Sequence, residues 1–434
     1  MSTPKLTIEP VDDLIDVARQ IRIEQLPPGA EIEIATRTLR DGVAWTSSAH
    51  FRADDLGVVD LMRDSPVSGS YAEVSPMGLI WSQTPESPSR NFFNTPVTDA
   101  LLTEVIVKAD LVELKSELVQ RLAGDGVTRR EIREDGLVGV LYLPAGPGPH
   151  PSVMILNGSG GGINEPRAAL YASRGYAAFA LAYFKAPGLS DYISNTPLEY
   201  FKKGMDWMRR TLKPAHDFVA LNGQSRGGEL VLLLGATYPD DVSAVVAYVP
   251  GAVVHSGQNA CDPKIGREGP TWLLNGQPIP HVWENNRSAT WAPFDEGPPP
   301  HRHEKAILTA LQDPDAVARA RIPVERIKGP VILLSGTDDG SWPSTLYSKM
   351  ISDTLREAHH PYPVKWLDYE GGGHSILFPY VPTTQLVYPH PVSGKISTTG
   401  GSPSPNARAD AESWQGVLAL LSDAVAARAQ AVGH

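Results

Sequence analysis

One serine in this chain lies in a sequence that is typical of an activated nucleophile. Ser225 is the centre of the pentapeptide GQSRG (223–227), and no other G-x-S-x-G occurs in the chain. A strand is predicted directly before it and an apolar helix, including 230–234, directly after it. Glycine on both sides permits a sharp strand-to-helix turn that exposes the serine hydroxyl above a sheet. The alternative is a glycine-rich turn with a purely structural role.

A serine hydroxyl becomes a good nucleophile only when a base removes its proton and an acid orients that base. Where a serine lies on such a turn, the partners follow along the chain in the order acid, then histidine. Asp338 and Asp339 follow the predicted strand 331–335, at a strand end where doubly wound sheets build their sites. The residues alone leave open which carboxylate orients the base.

His374 is the candidate base. It follows the predicted strand 364–369 and a glycine-rich run (370–373), on the C-terminal side of both carboxylates, where a loop can present an imidazole. The alternative is a histidine in a surface loop, and this is the interpretation for the other histidines. The predicted surface histidines include His301, His303, His359 and His360. No carboxylate or third histidine stands at ligand spacing from the first two, so no metal site is expected.

Backbone N–H groups are the expected donors to the oxyanion of a tetrahedral intermediate. By position, the candidates are the N–H groups of Arg226 and of Ser159, the latter in the loop NGSGGG (157–162), where glycines let the backbone approach a substrate. A phosphate cradle is the rival interpretation of this loop. The loop has neither the G-x-G-x-x-G spacing nor the Lys-Ser/Thr ending of nucleotide loops, which favours the oxyanion function.

The elements that must position these residues fall into two predicted domains. Residues 1–122 show short strands with period-two alternation and turn sequences such as Asp41-Gly42, which together indicate a β-sandwich. Residues 123–434 alternate apolar strands with helices, the pattern of a mainly parallel sheet covered on both faces. The Pro-, Gly- and Trp-rich segment 255–305 interrupts that pattern and indicates a lid or binding loop. The predicted strands of the second domain are 152–157, 176–183, 218–222, 242–249, 331–335 and 364–369.

Composition narrows the class of protein. With 41% hydrophobic and 20% charged residues, the chain of 434 residues can bury a sizeable core, and its net charge of -11 argues against binding of nucleic acid. No stretch of about eighteen apolar residues and no signal-peptide pattern occurs, so we expect no membrane span and a cytoplasmic location. Cys261 is the only cysteine, which excludes an intrachain disulfide and a multi-cysteine zinc site.

Over nearly its whole length the sequence resembles the acyl-CoA thioesterases related to bile acid-CoA:amino acid N-acyltransferase. In the first domain the resemblance is carried by WTSSAHFRAD (45–54), GSY (69–71) and MGLIWS (77–82). In the second it is carried by GPGP (146–149), GGG (160–162), EPRA (165–168), LAYF (181–184), the stretch 223–229, Asp338-Asp339 with Trp342, and Gly373-His374.

The resemblance implies an α/β-hydrolase fold with a mainly parallel, doubly wound sheet, preceded by an immunoglobulin-like β-sandwich. It also implies Ser225 as nucleophile, Asp339 as acid and His374 as base, which leaves Asp338 as a solvated turn residue. Family members with serine at the nucleophile position hydrolyse acyl-CoA, whereas the amino-acid-transferring branch carries cysteine there. The expected activity is therefore hydrolysis of an acyl-CoA to free acid and CoA through an acyl-serine, without a metal or other cofactor.

Two alternatives remain beside this expectation. One is an acyltransferase or an ester hydrolase of a specialised pathway that uses the same acyl-serine. The other is a non-catalytic binding protein, against which the intact serine, aspartate and histidine argue. The chain departs from the family at Arg226, where lysine is frequent, and in segment 255–305, so the acyl group stays open. The expected ligand is a small acyl thioester or ester, and the sequence does not determine the oligomeric state.

Overall fold

The computed structural model describes residues 3–432, which form two compact units. The first unit contains Met1–Gly124, Leu377–Leu386 and Ser402–Glu412. The second contains Asp125–Ile376, Val387–Gly401 and Ser413–His434. The predicted boundary at residue 122 leaves the two short later segments of the first unit in the second domain, because a linear pattern does not show where a chain returns to an earlier unit. The division at residue 122 stays a prediction about domains.

The first unit is a β-sandwich. Its elements are β1 (Lys5–Glu9), β2 (Asp12–Leu14), β3 (Gln20–Glu24), β4 (Glu31–Arg40), β5 (Val43–Arg52), β6 (Val59–Asp60), β7 (Ser68–Gly69), the short helix α1 (Gly78–Trp81), β8 (Thr84–Pro85), β9 (Leu101–Ala109) and β10 (Val112–Arg121). One sheet has the order β1-β3-β6, and the other has the order β2-β10-β9-β4-β5-β7, with β8 also pairing with β5. Alternate side chains of both sheets, such as Ile23, Ile34 and Val107, are fully buried in one shared core.

The hairpin predicted at Asp41-Gly42 is confirmed. Strands β4 and β5 pair antiparallel with Arg40 opposite Val43. Asp41 and Gly42 have φ values of 49° and 82°, the left-handed conformation that a two-residue hairpin turn requires at both positions. The turn therefore sets the register that places Ile34 and Ala49 on the buried face.

The second unit is built on one mixed sheet. The strands of this unit are β11 (Thr128–Ile132), β12 (Val138–Leu143), β13 (Ser152–Leu156), β14 (Ala177–Ala182), β15 (Thr196–Pro197), β16 (Val219–Gln224), β17 (Ala244–Tyr248), β18 (Trp272–Leu274), β19 (Gln277–Pro278), β20 (Val331–Gly336), β21 (Val364–Tyr369), β22 (Val387–Pro389) and β23 (Ile396–Thr398). Two small sheets, β15-β18-β19 and β22-β23, lie outside the main sheet. The main sheet has the order β11-β12-β14-β13-β16-β17-β20-β21, in which β12 pairs antiparallel with both β11 and β14 and the remaining neighbours pair parallel. The predicted α/β-hydrolase fold is confirmed.

The helices that follow α1 are α2 (Glu165–Ser173), α3 (Leu198–Leu212), α4 (Arg226–Thr237), α5 (Ala292–Asp295), α6 (Glu304–Ala310), α7 (Pro314–Ala320), α8 (Ser344–Glu357) and α9 (Pro403–Val432), with short 3-10 turns at Ala215–Asp217, Gln258–Ala260 and Val324–Arg326. Of these, α2, α3, α4 and α8 pack on strands of the main sheet. Helix α4 is apolar apart from Arg226, Glu229 and Thr237 and is buried almost completely, as expected for a helix that follows the central strand β16. Within residues 3–432, no helix is both long and apolar enough to cross a membrane.

Two features of the second unit were not anticipated. The antiparallel strands β11 and β12 went unnamed, since β11 reads TRREI and carries three successive charges at the sheet edge, where no apolar run is needed. Segment 255–305 was expected to be a lid or loop. In the structure it contributes Trp272, Val282 and Phe294 to the main hydrophobic core, and each of them is at most 2% exposed.

The parallel strands bring the candidate residues to one edge of the sheet. Because β13, β16, β20 and β21 run in the same direction, their carboxyl ends lie along the same side. The loops that leave these ends carry Ser159, Ser225, Asp339 and His374, in the order of the strands. Segments more than two hundred residues apart along the chain are thereby presented together.

Candidate active site

Ser225 lies on a strained turn between β16 and α4. Its backbone has φ 59° and ψ -116°, a conformation that residues with a Cβ rarely adopt. The turn is held because the Ser225 N–H donates a hydrogen bond of 2.9 Å to the carbonyl of Tyr248, at the end of the neighbouring strand β17. Strain of this kind persists only where the surrounding structure determines it, and it is concentrated at functional sites.

The two glycines of the pentapeptide are required by the space around this turn. A Cβ at Gly223 would lie 1.9 Å from the carbonyl oxygen of Gly227, and a Cβ at Gly227 would lie 2.4 Å from that of Leu156. Real Cβ atoms do not approach so closely. The glycines flanking Ser225 therefore have the steric role that the sequence predicted.

The structure brings Ser225, His374 and Asp339 together in one hydrogen-bonded row. The Oγ of Ser225 lies 2.7 Å from Nε2 of His374, and Nδ1 of His374 lies 2.8 Å from Oδ2 of Asp339. The carboxylate only accepts, so Nδ1 carries a proton and donates it to Asp339. In the neutral imidazole, Nε2 is then free to accept the hydroxyl hydrogen of Ser225, which is the arrangement of a general base.

Asp339 is positioned by its own loop. It is 4% exposed, and its Oδ1 accepts the N–H groups of Ser341 and Trp342 at 2.9 and 3.1 Å. Its second oxygen is thereby directed to His374. The His374 loop is held in the same way, because the His374 N–H donates to the carbonyl of Thr399 at 2.9 Å.

Asp338 faces away from the histidine. Its Oδ1 lies 3.0 Å from Nη2 of Arg302, and its Oδ2 accepts the N–H of Gly401 at 2.9 Å. The side chain is 49% exposed. The interpretation of Asp338 as a solvated turn residue omitted these contacts, because Arg302 belongs to the Pro-rich segment and is 36 residues away.

The loop after β13 lies against the nucleophile turn. A Cβ added at Gly158 would stand 3.3 Å from Cβ of Ser225 and 3.9 Å from the backbone nitrogen of Arg226. The N–H groups of Arg226 and Ser159 have no hydrogen-bond acceptor within residues 3–432. Arg226 is the first residue of α4, where the helix leaves its N–H groups unpaired and its dipole favours negative charge. Both groups are therefore available to a ligand oxygen.

A buried polar network beneath the nucleophile turn was missed by the sequence analysis. Glu229 is fully buried in α4, with Oε1 2.5 Å from Nδ1 of His255 and Oε2 2.6 Å from Nε1 of Trp272. Nε2 of His255 lies 2.7 Å from the Tyr347 hydroxyl. The guanidinium of Arg226 lies 3.6 Å from the Glu229 carboxylate. A carboxylate at the start of an otherwise apolar helix, as in RGGELVLLL, is the sequence signal that could have indicated it.

Charges in this network are balanced. Burial by itself would raise the pKa of Glu229, but the Arg226 charge and the hydrogen bonds from His255 and Trp272 outweigh it and hold the pKa below its usual range. Burial lowers the pKa of His255, against the opposing effect of the Glu229 carboxylate. His255 stacks on Trp342 at 4.5 Å between ring centroids, and Trp342 in turn packs edge-on against the His374 ring. The network therefore supports both the turn of Ser225 and the imidazole of His374.

The expectation that the remaining histidines lie in surface loops is wrong for several of them. Those that are buried instead are His255, His281, His303 and His390. Burial lowers the pKa of His303 to about 3 and that of His390 to about 4. His303 packs between Trp291 and Phe294, and no short-range pattern shows that these aromatic rings cover it. Within the described part of the chain, no cluster of three or more His, Cys, Asp or Glu side chains is arranged to hold a metal ion.

Comparison with known families covers most of the chain. Residues 196–427 match the family described as BAAT / Acyl-CoA thioester hydrolase C terminal. Residues 16–134 match the family described as Acyl-CoA thioester hydrolase/BAAT N-terminal region. Together the two matches include the nucleophile turn, the acid and histidine loops, and most of the β-sandwich.

Individual relatives align over most of their length. Acyl-coenzyme A thioesterase 1 of Mus musculus is 30% identical, covering 92% of this chain and 91% of that protein. The mitochondrial acyl-coenzyme A thioesterase 2 of Mus musculus is 31% identical, covering 92% of this chain and 84% of that protein. The peroxisomal succinyl-coenzyme A thioesterase of Mus musculus is 28% identical, covering 95% of each. One of these relatives is named as mitochondrial and another as peroxisomal, so the cytoplasmic location of this protein stays a prediction.

The resemblance inferred from the sequence motifs is thus confirmed by similarity over more than nine tenths of the chain, and it agrees with the sheet topology of the second unit. This protein belongs to the acyl-CoA thioester hydrolase/BAAT family.

Proposed function

We propose that this protein hydrolyses an acyl-CoA to the free acid and CoA, with Ser225 as nucleophile, His374 as general base and acid, and Asp339 as the group that orients the histidine. The observation that carries the proposal is the row of hydrogen bonds from Ser225 through His374 to Asp339, at 2.7 and 2.8 Å. Membership of a family whose named relatives are acyl-CoA thioesterases supports the choice of substrate.

In the acylation step, Nε2 of His374 takes the hydroxyl proton of Ser225 while Oγ attacks the thioester carbonyl carbon. The carbonyl oxygen gains negative charge, which the N–H groups of Arg226 and Ser159 stabilise. When the intermediate collapses, the carbon–sulfur bond breaks and His374 gives its proton to the departing sulfur of CoA. The acyl group is then an ester of Ser225.

Deacylation repeats these steps with water. His374 removes a proton from a water molecule, which attacks the ester carbonyl, and the proton is returned to Oγ of Ser225 as the acid leaves. Asp339 accepts the Nδ1 hydrogen of His374 throughout, so that Nε2 always faces the reacting atoms. No metal or redox cofactor is needed for either step.

The proposal is tested by incubating the protein with a panel of acyl-CoAs and simple esters and measuring the release of free CoA or alcohol. Ser225→Ala should lower turnover by several orders of magnitude, because only the nucleophilic oxygen is lost. A fluorophosphonate probe should label the wild type at Ser225 and leave the alanine variant unlabelled.

The folded state of the variant is checked by its unfolding transition. A folded and uncontaminated Ser225→Ala protein that turns over acyl-CoA like the wild type would refute the assignment of the nucleophile. Turnover of simple esters without release of CoA from any acyl-CoA would keep the acyl-serine chemistry and refute the thioesterase assignment.

A further inference from the structure

A second histidine, His390, lies buried beside the loop that follows β13. It is 4% exposed and starts the turn between β22 and β23. Its Nδ1 accepts the backbone N–H groups of Val392 and Ser393 at 3.1 and 3.2 Å. An amide N–H can only donate, so Nδ1 carries no proton, and in the neutral ring the hydrogen is on Nε2.

Within the described residues, the Nε2 hydrogen of His390 has one acceptor. Nε2 lies 2.8 Å from Oγ of Ser159, so the imidazole donates and the hydroxyl accepts. Burial, together with the nearby charge of Lys185, lowers the pKa of His390 to about 4, which keeps the ring neutral and this tautomer in place at any higher pH. The hydroxyl hydrogen of Ser159 is therefore left for another acceptor, and residues 3–432 provide none.

Ser159 belongs to a loop that lies against the nucleophile turn. It directly follows Gly158, where an added Cβ would stand 3.3 Å from the Cβ of Ser225. The turn that holds His390 also touches the loop, since an added Cβ at Gly160 would lie 3.4 Å from the Pro391 ring. The ammonium group of Lys185 also contacts this turn, because it donates a hydrogen bond to the carbonyl of Pro391.

The same segment, 387–401, also supports the base and the acid. The carbonyl of Thr399 accepts the N–H groups of His374 and Gly340, both at 2.9 Å. Backbone bridging between Asp339 and Gly400 continues this contact. One stretch of chain thus connects the Ser159 loop to the loops of His374 and Asp339, so the position of His390 is coupled to that of the hydrogen-bonded row.

We propose that the side chain of Ser159, and not only its backbone, takes part in the reaction: its hydroxyl donates a hydrogen bond to the substrate carbonyl oxygen as that oxygen becomes an oxyanion, and His390 is the positioning residue that aims it. This inference rests on the function proposed above and adds a third donor to the two backbone N–H groups. A donor at this place acts on charge that develops only in the transition state, so it should influence kcat far more than KM.

The test compares Ser159→Ala with Ser159→Thr, which keeps a hydroxyl. We expect Ser159→Ala to lower kcat at least about tenfold with little change in KM, since loss of one oxyanion donor commonly costs that much or more, and Ser159→Thr to recover most of the loss. His390→Leu should lower kcat in the wild-type background and have little further effect in Ser159→Ala, because it acts through the hydroxyl. Lys395→Met is the matched control: Lys395 lies in the same turn, but its side chain pairs with Asp295 and not with His390 or Ser159, so kcat should stay near the wild-type value.

A second readout does not depend on the natural substrate. The rate at which a fluorophosphonate reacts with Ser225 should fall in Ser159→Ala, because the phosphoryl oxygen occupies the oxyanion position. An unchanged kcat and an unchanged labelling rate in folded Ser159→Ala would overturn this inference while leaving the proposed function intact. Equal losses in Ser159→Ala and Ser159→Thr, or a full effect of His390→Leu on top of Ser159→Ala, would show a structural role for the loop and would also overturn it. Failure of the proposed function itself is seen separately, in Ser225→Ala.

Discussion

The carboxylate of Asp339 lies 2.8 Å from Nδ1 of His374, whereas that of its neighbour Asp338 is bonded to Arg302 and to the backbone of Gly401. Replacement of an orienting carboxylate by its amide leaves the histidine in the wrong tautomer, so Asp339→Asn should lower kcat by roughly 10³–10⁴-fold. Asp338→Asn removes half of an exposed ion pair and should change kcat by less than about threefold. Both are measured as acyl-CoA turnover, and a larger loss in Asp338→Asn would reverse the assignment.

Exchange of the nucleophile tests hydrolysis against transfer. With Ser225 the acyl-enzyme is an oxygen ester, which water can attack, whereas with Ser225→Cys it is a thioester, which amines attack far more readily than water does. We expect Ser225→Cys to release free acid more slowly and to pass a larger fraction of the acyl group to added glycine. The measurement is the ratio of free acid to N-acyl product by mass spectrometry at equal consumption of acyl-CoA. An unchanged ratio would mean that access to the pocket, and not the nucleophile, selects the acceptor.

Glu229→Gln tests the buried network beneath the nucleophile turn. The amide fills the same volume but leaves the guanidinium of Arg226, which is 3% exposed, without its counter-charge. Loss of one partner of a buried pair commonly costs about 3–5 kcal/mol of unfolding free energy. The matched control is Asp353→Asn, which breaks surface pairs with Lys349 and Arg356 on α8 and should cost about 1 kcal/mol or less. Similar unfolding free energies for the two variants would show that the network contributes little to stability.

The burial of His303 predicts how the unfolding free energy depends on pH. The pKa of His303 is about 3 in the folded protein, and the unfolded chain has the ordinary value of 6.5. Between these values the unfolded state binds a proton that the folded state does not, so the unfolding free energy should fall as the pH falls from 6.5 toward 3. The slope for one such histidine is at most about 1.4 kcal/mol per pH unit.

His303→Leu removes one group that titrates, so the slope of unfolding free energy against pH should fall by the contribution of about one proton. Part of the pH dependence should remain, because the other buried histidines contribute in the same direction. Denaturant unfolding at a series of pH values gives the slope. The control is His216→Asn, since His216 is exposed and asparagine tolerates its left-handed backbone. If His303→Leu and His216→Asn showed the same slope, His303 would not be the group that titrates.

Much of the fold was predictable because its signals are local. Asp41-Gly42 specifies a hairpin, and Gly223 with Gly227 indicates the turn of Ser225. The predicted ends of the six apolar strands of the second domain lie within about two residues of the observed ends. Each of these depends on a few neighbouring residues and on steric rules that act at short range. The charged edge strand β11 has no such signal, and it was missed.

The sequence by itself determined which residue types could act and in what order they follow one another: a serine between glycines, two candidate aspartates and a histidine after a glycine run. Only the tertiary structure decided which atoms meet. Parallel strands carry Ser225 and His374 to one sheet edge across 149 residues, and local hydrogen bonds turn Asp339 toward the imidazole and Asp338 away from it. The burial of Glu229, His255 and His390 depends on side chains that arrive from distant segments, so no pattern within one segment can reveal it. Contacts of this kind depend on the packed fold as a whole, and for that reason the Ser159–His390 pair emerged from the structure and not from the sequence.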